Sequence, residues 1–144
     1  PNEKPLAHIL VVEDSPTQLQ RLVHLLQENA YSVAAAKNGL EAIEMAQSDK
    51  PDLIISDIVM PQMDGYEMCR RVKNDAALHA VPVMLLTTLS AAEDVILGLN
   101  ASADYYITKP YADDYLLSRV QMVLKSGDAC RDSSSDTDGM EVIL

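Results

Sequence analysis

The chain has 144 residues, 48% of them apolar and 23% charged, and a formal net charge of −11. That length suits one compact domain with a real core, and the acidity argues against direct nucleic-acid or anionic-membrane contact, which needs clustered Lys and Arg. Cys69 and Cys130, with His8, His24 and His79 scattered along the chain, offer neither a disulfide framework nor the spacing of a His/Cys metal site.

The first apolar run, His8–Val12, is short, β-branched and almost continuously apolar, which predicts a strand covered on both faces. It delivers Glu13 and Asp14, and Ser15-Pro16-Thr17-Gln18 then reads as a helix start: a capping Ser, Pro at the first helical position and Gln at the third. Leu19, Leu22, Val23 and Leu26 form the core stripe of that helix. A second strand is predicted over Tyr31–Ala36, followed by the cap-and-acid pair Asn38…Glu41.

The third run, Leu53–Asp57, ends on a carboxylate, which is costly to desolvate unless something pairs with it. Asp64…Glu67 marks the next helix, with Asp64 as its cap and Gly65 relieving the turn. Val83–Thr87 is the fourth strand, and Ser90…Glu93 starts the fourth helical pattern. Asp104–Thr108 is the fifth strand and leads into Lys109-Pro110. Leu116, Leu117, Val120, Val123 and Leu124 stripe the fifth helical pattern.

Strands alternating with helices in this way predict an α/β fold. It is a doubly wound (βα)5 arrangement with right-handed crossovers and helices on both faces of a five-stranded parallel sheet. The domain spans residues 1–125, with 10 Lys and Arg against 17 Asp and Glu. Residues 126–144 carry 1 against 5, lose periodicity and are rich in Ser, Asp and Gly, which predicts an acidic flexible linker. The apolar MEVIL that closes the chain reads as the truncated start of a following segment. No apolar run approaches the ~20 residues of a membrane span and no signal peptide opens the chain, so a cytoplasmic protein without membrane contact is expected.

In an open parallel α/β sheet, ligands gather beyond the carboxyl ends of the strands. Those ends supply Glu13 and Asp14, Asp57, Thr87 and then Thr88, and Lys109. Three carboxylates this close repel one another unless a cation joins them. An all-oxygen donor set favours a hard ion, Mg²⁺ before Ca²⁺. An ion and a lysine together are what a phosphoryl group needs.

Four stretches, VVEDS (11–15), SDIVMPQMDG (56–65), LLTT (85–88) and YITKP (106–110), stand in the order and spacing of one known family. Over about residues 6–125 the chain resembles the response-regulator receiver domain of two-component signalling. DYLLSR (114–119) and the polar stretch after it are similar to receivers joined to hybrid sensor histidine kinases. The resemblance implies a flavodoxin-like strand order 2-1-3-4-5. It implies Asp57 as phosphoacceptor from a kinase phosphohistidine, a carboxylate nucleophile. Mg²⁺ would be held by Asp14, Asp57 and the backbone carbonyl of Val59, with Glu13 acting through a water. Thr87 and Lys109 would contact the phosphoryl oxygens, and Lys109-Pro110 would be cis. Thr87 and Tyr106 would pass the change to the face built from the fourth helical pattern, the fifth strand and the fifth helical pattern.

The implied partners are a histidine kinase or phosphotransfer domain and an output domain in cis or trans, with that same face available for a homodimer. The implied role is a signalling module that assists its own phosphorylation and dephosphorylation. Histidine kinase activity would belong only to a longer hybrid protein.

Several residues depart from the family pattern. Thr88 is bulkier than the usual residue beside the phosphoryl pocket, which predicts slowed exchange. Ser102 stands where Gly commonly precedes strand five, with Asn100 available for a left-handed turn, and Tyr111 replaces a frequent Phe. Two other classes fit less well. A Mg²⁺-dependent phosphohydrolase with an aspartyl-phosphate intermediate would carry DxD after its first strand, and Val59 occupies the second-acid position here. A phosphorylation-independent pseudo-receiver would lack an acid or the lysine.

Overall fold

A computed structural model describes residues 5–87 and 103–132, with side chains described as far as Lys125. Thr88, the helical pattern at Ser90…Glu93, Asn100 and Ser102 lie outside the described residues. Five strands, β1 (His8–Val12), β2 (Ser32–Ala36), β3 (Leu53–Asp57), β4 (Val83–Thr87) and β5 (Tyr105–Thr108), form one parallel sheet in the order β2-β1-β3-β4-β5. The order is the one implied by the resemblance. Four helices are described: α1 (Pro16–Glu28), α2 (Gly39–Ser48), α3 (Gly65–Lys73) and α4 (Asp113–Asp132), the last being the fifth helical pattern of the sequence.

Strand side chains alternate between the two faces, as the pleat requires. Leu10, Val12, Ile54, Val83 and Leu85 face one core with Met68, Cys69 and Val72 of α3. Ile9, Val11, Leu53, Ile55, Met84 and Leu86 face the other, with Leu22 and Leu26 of α1 and Leu116, Val120 and Val123 of α4. The central strands β1, β3 and β4 are therefore covered on both sides, which explains their unbroken apolar runs. Ser56, fully buried within β3, donates its hydroxyl to the Asp57 carbonyl at 2.7 Å and so carries no unmet polar group.

The helix starts are capped as expected. Ser15 Oγ accepts from Gln18 N at 3.4 Å, Asn38 Oδ1 from Glu41 N at 2.8 Å, and Asp64 Oδ1 from Glu67 N at 2.9 Å. The end of α1 was not expected. Ala30 adopts φ 73°, Tyr31 N donates to Leu26 O and Ala30 N to Gln27 O, the two bonds of a Schellman motif. Tyr31 is consequently spent on closing the helix, and β2 begins one residue later than the apolar pattern suggests. Ala in place of Gly there costs about 1 kcal/mol, offset by the packing of Tyr31 and Leu26 in one core. β5 likewise begins at Tyr105 rather than Asp104, because the Asp104 side chain turns back to the backbone of Val83.

The last helix runs past Lys125 to Asp132, so the polar composition from residue 126 does not stop it there. Residues 133–144 lie outside the described residues. Among the described residues no helix is long and apolar enough to cross a membrane.

Candidate functional site

The strand register assembles the site. Val12 lies opposite Ser56, so Glu13, next after Val12, arrives beside Asp57. Asp57 pairs with Leu86, which puts Thr87 one step further out. Thr87 pairs with Thr108, and Lys109 N then donates to the Thr87 carbonyl at 2.7 Å, extending the ladder by one residue. Four residues far apart in sequence, Glu13, Asp57, Thr87 and Lys109, thereby reach one edge of the sheet.

The side chains converge there. Lys109 Nζ lies 3.1 Å from Asp57 Oδ1 and 3.7 Å from Glu13 Oε1. Glu13, Asp14 and Asp57 each present a carboxylate oxygen, and these oxygens all lie within 4.8 Å of one another. Glu13 is buried, Asp57 half-buried and Asp14 exposed. Burial is the main influence pushing the Glu13 carboxyl above the ordinary glutamate range, and the charges of Asp57 and Asp14 push the same way; the Ser15 N–H and Lys109 oppose them. The Ser15 N–H reaches Glu13 Oε2 at 3.1 Å.

The other expected residues take clear positions. Thr87 is buried at the end of β4. Tyr106 is half-buried in β5 opposite Leu85 and packs against the core on the α2 and α3 side. Val59, two residues after Asp57, is 69% exposed. The Lys109-Pro110 bond is cis. Tyr111 packs against the core beneath α4, and burial pushes its hydroxyl up.

Two participants escape sequence reasoning. Gly65 N donates to the Ile58 carbonyl at 2.8 Å, and a Cβ on Gly65 would stand 2.5 Å from the Asp57 carbonyl oxygen. The start of α3 thus rests directly on the segment that carries Asp57. Among the described residues no glycine has positive φ, so Gly65 serves by its lack of bulk and not by turn conformation. Gln18 is the second: its Oε1 accepts from Lys109 Nζ at 3.1 Å. No sequence signal pairs residues so distant.

A hard divalent cation fits what is present. Every donor is an oxygen, and two of the three clustered carboxylates lie beside one ammonium. Such a set is stabilised by Mg²⁺ and offers nothing to a soft metal.

Comparison with known proteins agrees with this geometry. A family model described as the response regulator receiver domain matches residues 9–121. Protein PilH of Pseudomonas aeruginosa is 36% identical over 119 residues, which cover 83% of this chain and 98% of PilH. Other curated relatives are longer: the chain spans 56% and 50% of two mycobacterial response regulators named MprA. The signal receiver domain of a histidine kinase from Syntrophus aciditrophicus superposes with a TM-score of 0.81 at 44% identity, covering 92% of this chain and 98% of that one. The receiver domain of the sensor histidine kinase PA1611 from Pseudomonas aeruginosa superposes with a TM-score of 0.77 at 27% identity, covering 83% and 98%. That protein holds a magnesium ion coordinated in its active site cleft. The chain belongs to the response regulator receiver domain family, and its function is that of a phosphoacceptor module in two-component signalling.

Proposed function

We propose that Asp57 is the phosphoacceptor, that Asp14 and Asp57 with the Val59 carbonyl would hold Mg²⁺, with Glu13 acting through a water, and that Thr87 and Lys109 receive the phosphoryl oxygens. One observation carries this reading: the Lys109 ammonium sits 3.1 Å from Asp57 Oδ1 inside a cluster of three carboxylates. A free Asp57 oxygen attacks the phosphorus of a phosphohistidine on the partner. The new P–O bond forms as the P–N bond breaks, and the imidazole leaves with the bonding pair and takes a proton. Mg²⁺ held by these residues would supply positive charge to offset that on the phosphoryl oxygens.

Lys109 keeps its place through the exchange and trades the carboxylate for a phosphoryl oxygen. The Thr87 hydroxyl donates to a second oxygen, and Tyr106, in the neighbouring strand, follows that movement. The affected surface comprises β5, α4 and the helical pattern at Ser90…Glu93. The partners are a histidine kinase or phosphotransfer domain upstream and an output domain downstream, in the cytoplasm, with a hybrid kinase as the preferred context.

Acetyl phosphate or beryllofluoride with Mg²⁺ is expected to modify the protein at Asp57 without any other substrate, read as a mass increase, and Asp57→Asn is expected to remove the modification. Persistence of the adduct in Asp57→Asn would refute the assignment. Steady turnover of an external phosphate ester would mark a phosphohydrolase instead.

A further inference from the structure

The cap of α1 departs from its sequence pattern in a way that bears on the site. In a Ser-x-x-Gln capping box the Gln side chain reaches back to the N–H of the capping residue. Here Ser15 Oγ does accept from Gln18 N, yet the Ser15 N–H donates to Glu13 Oε2 at 3.1 Å. The site acid has taken the glutamine's half of the box. Gln18, on the exposed face of the first turn, is released to reach Lys109.

We infer that Gln18 is a positioning residue for phosphoryl transfer, its side-chain carbonyl holding the Lys109 ammonium in register with Asp57. The inference rests on the reading of Asp57 as phosphoacceptor. An ammonium has three hydrogens and no acceptor, so it is the glutamine oxygen that must face it. Three acceptors surround it: Asp57 Oδ1 at 3.1 Å, Gln18 Oε1 at 3.1 Å and Glu13 Oε1 at 3.7 Å.

When Asp57 becomes an aspartyl phosphate, one of these anchors changes shape and charge, while Gln18 remains on the solvent side. Without it the flexible lysine stem is free to swing toward water, away from the developing charge. The choice of amide over acid also has a reason. A Glu at position 18 would hold the ammonium too, but would add a fourth carboxylate that repels the incoming phosphoryl donor and competes with it for Lys109.

Gln18→Met tests this with little disturbance, because Met and Gln are similar in length and helix propensity. The rate of Asp57 modification by acetyl phosphate at fixed Mg²⁺ is expected to fall roughly three- to tenfold, the value of one such hydrogen bond. Gln18→Glu is expected to slow it further, and thermal melting of both variants should match the parent. The decisive measurement is the cycle with Lys109→Ala: a residue acting through Lys109 has nothing left to act on there, so Gln18→Met should cause no additional loss. Equal slowing with and without Lys109, or no slowing in either background, would overturn the inference. Modification surviving in Asp57→Asn would instead overturn the reading beneath it.

Discussion

Gly65 shows how much one missing methyl group can matter. Its Cβ would meet two backbone positions, the Asp57 carbonyl oxygen at 2.5 Å and Ile58 Cα at 2.9 Å, and neither can rotate away. At Gly39 the comparable clash is with Met63 Sδ at 2.8 Å, the far end of a flexible side chain. Gly65→Ala is therefore expected to lower stability by about 1–3 kcal/mol and to slow Asp57 modification as the acceptor segment shifts. Gly39→Ala should cost distinctly less. Urea denaturation of the two variants beside the parent checks this, and equal midpoints for all three would disprove it. In sequence the pair Asp64-Gly65 reads only as a turn, because nothing local records that another backbone segment lies against it. Cys69 is equally silent: it is fully buried on α3, burial pushes its thiol up to about 12, and it serves as packing.

At the level of elements, caps and core stripes follow from local chemistry and were legible, whereas the ties between elements were not. Lys73, in the last turn of α3, reaches the Val81 carbonyl at 2.8 Å and Asp104 Oδ2 at 2.7 Å. The same Asp104 oxygen accepts from Val83 N at 2.8 Å. One lysine and one aspartate thus clamp the end of α3, the segment before β4 and the start of β5, at the opposite end of the sheet from Asp57. The Lys73 side chain is 15% exposed and that of Asp104 36%, so the pair is shielded better than the surface pairs of Glu67 with Arg70 and Arg71. Asp104→Ala is expected to cost about 1–3 kcal/mol, since it strands a backbone N–H and removes the carboxylate paired with the Lys73 ammonium. Arg70→Ala should fall within about 1 kcal/mol of the parent. Denaturation midpoints distinguish them, and a harmless Asp104→Ala would show that the clamp contributes nothing.

Across the whole molecule the surplus of negative charge matters most where it is concentrated. Glu13, Asp14 and Asp57 repel one another at one edge of the sheet and are opposed there by Lys109. Mg²⁺ binding to the folded state alone is expected to raise the melting temperature over that in EDTA. The gain corresponds to about 2.7 kcal/mol when free ion exceeds its dissociation constant a hundredfold. Asp14→Asn should shrink that gain. An unchanged melting temperature in the parent would argue against a metal at this cluster.

The amino-acid order by itself determined the alternation of strands and helices, the caps, and the delivery of acids, threonine and lysine to strand ends. Each of these depends on periodicities and hydrogen bonds spanning only a few residues. Tertiary structure decided which of the delivered groups touch. Lys109 meets Asp57 across 52 residues and Gln18 across 91, and Gly65 meets the Asp57 backbone because two segments cross. Such contacts depend on the register and packing of whole elements, which no short stretch of sequence encodes.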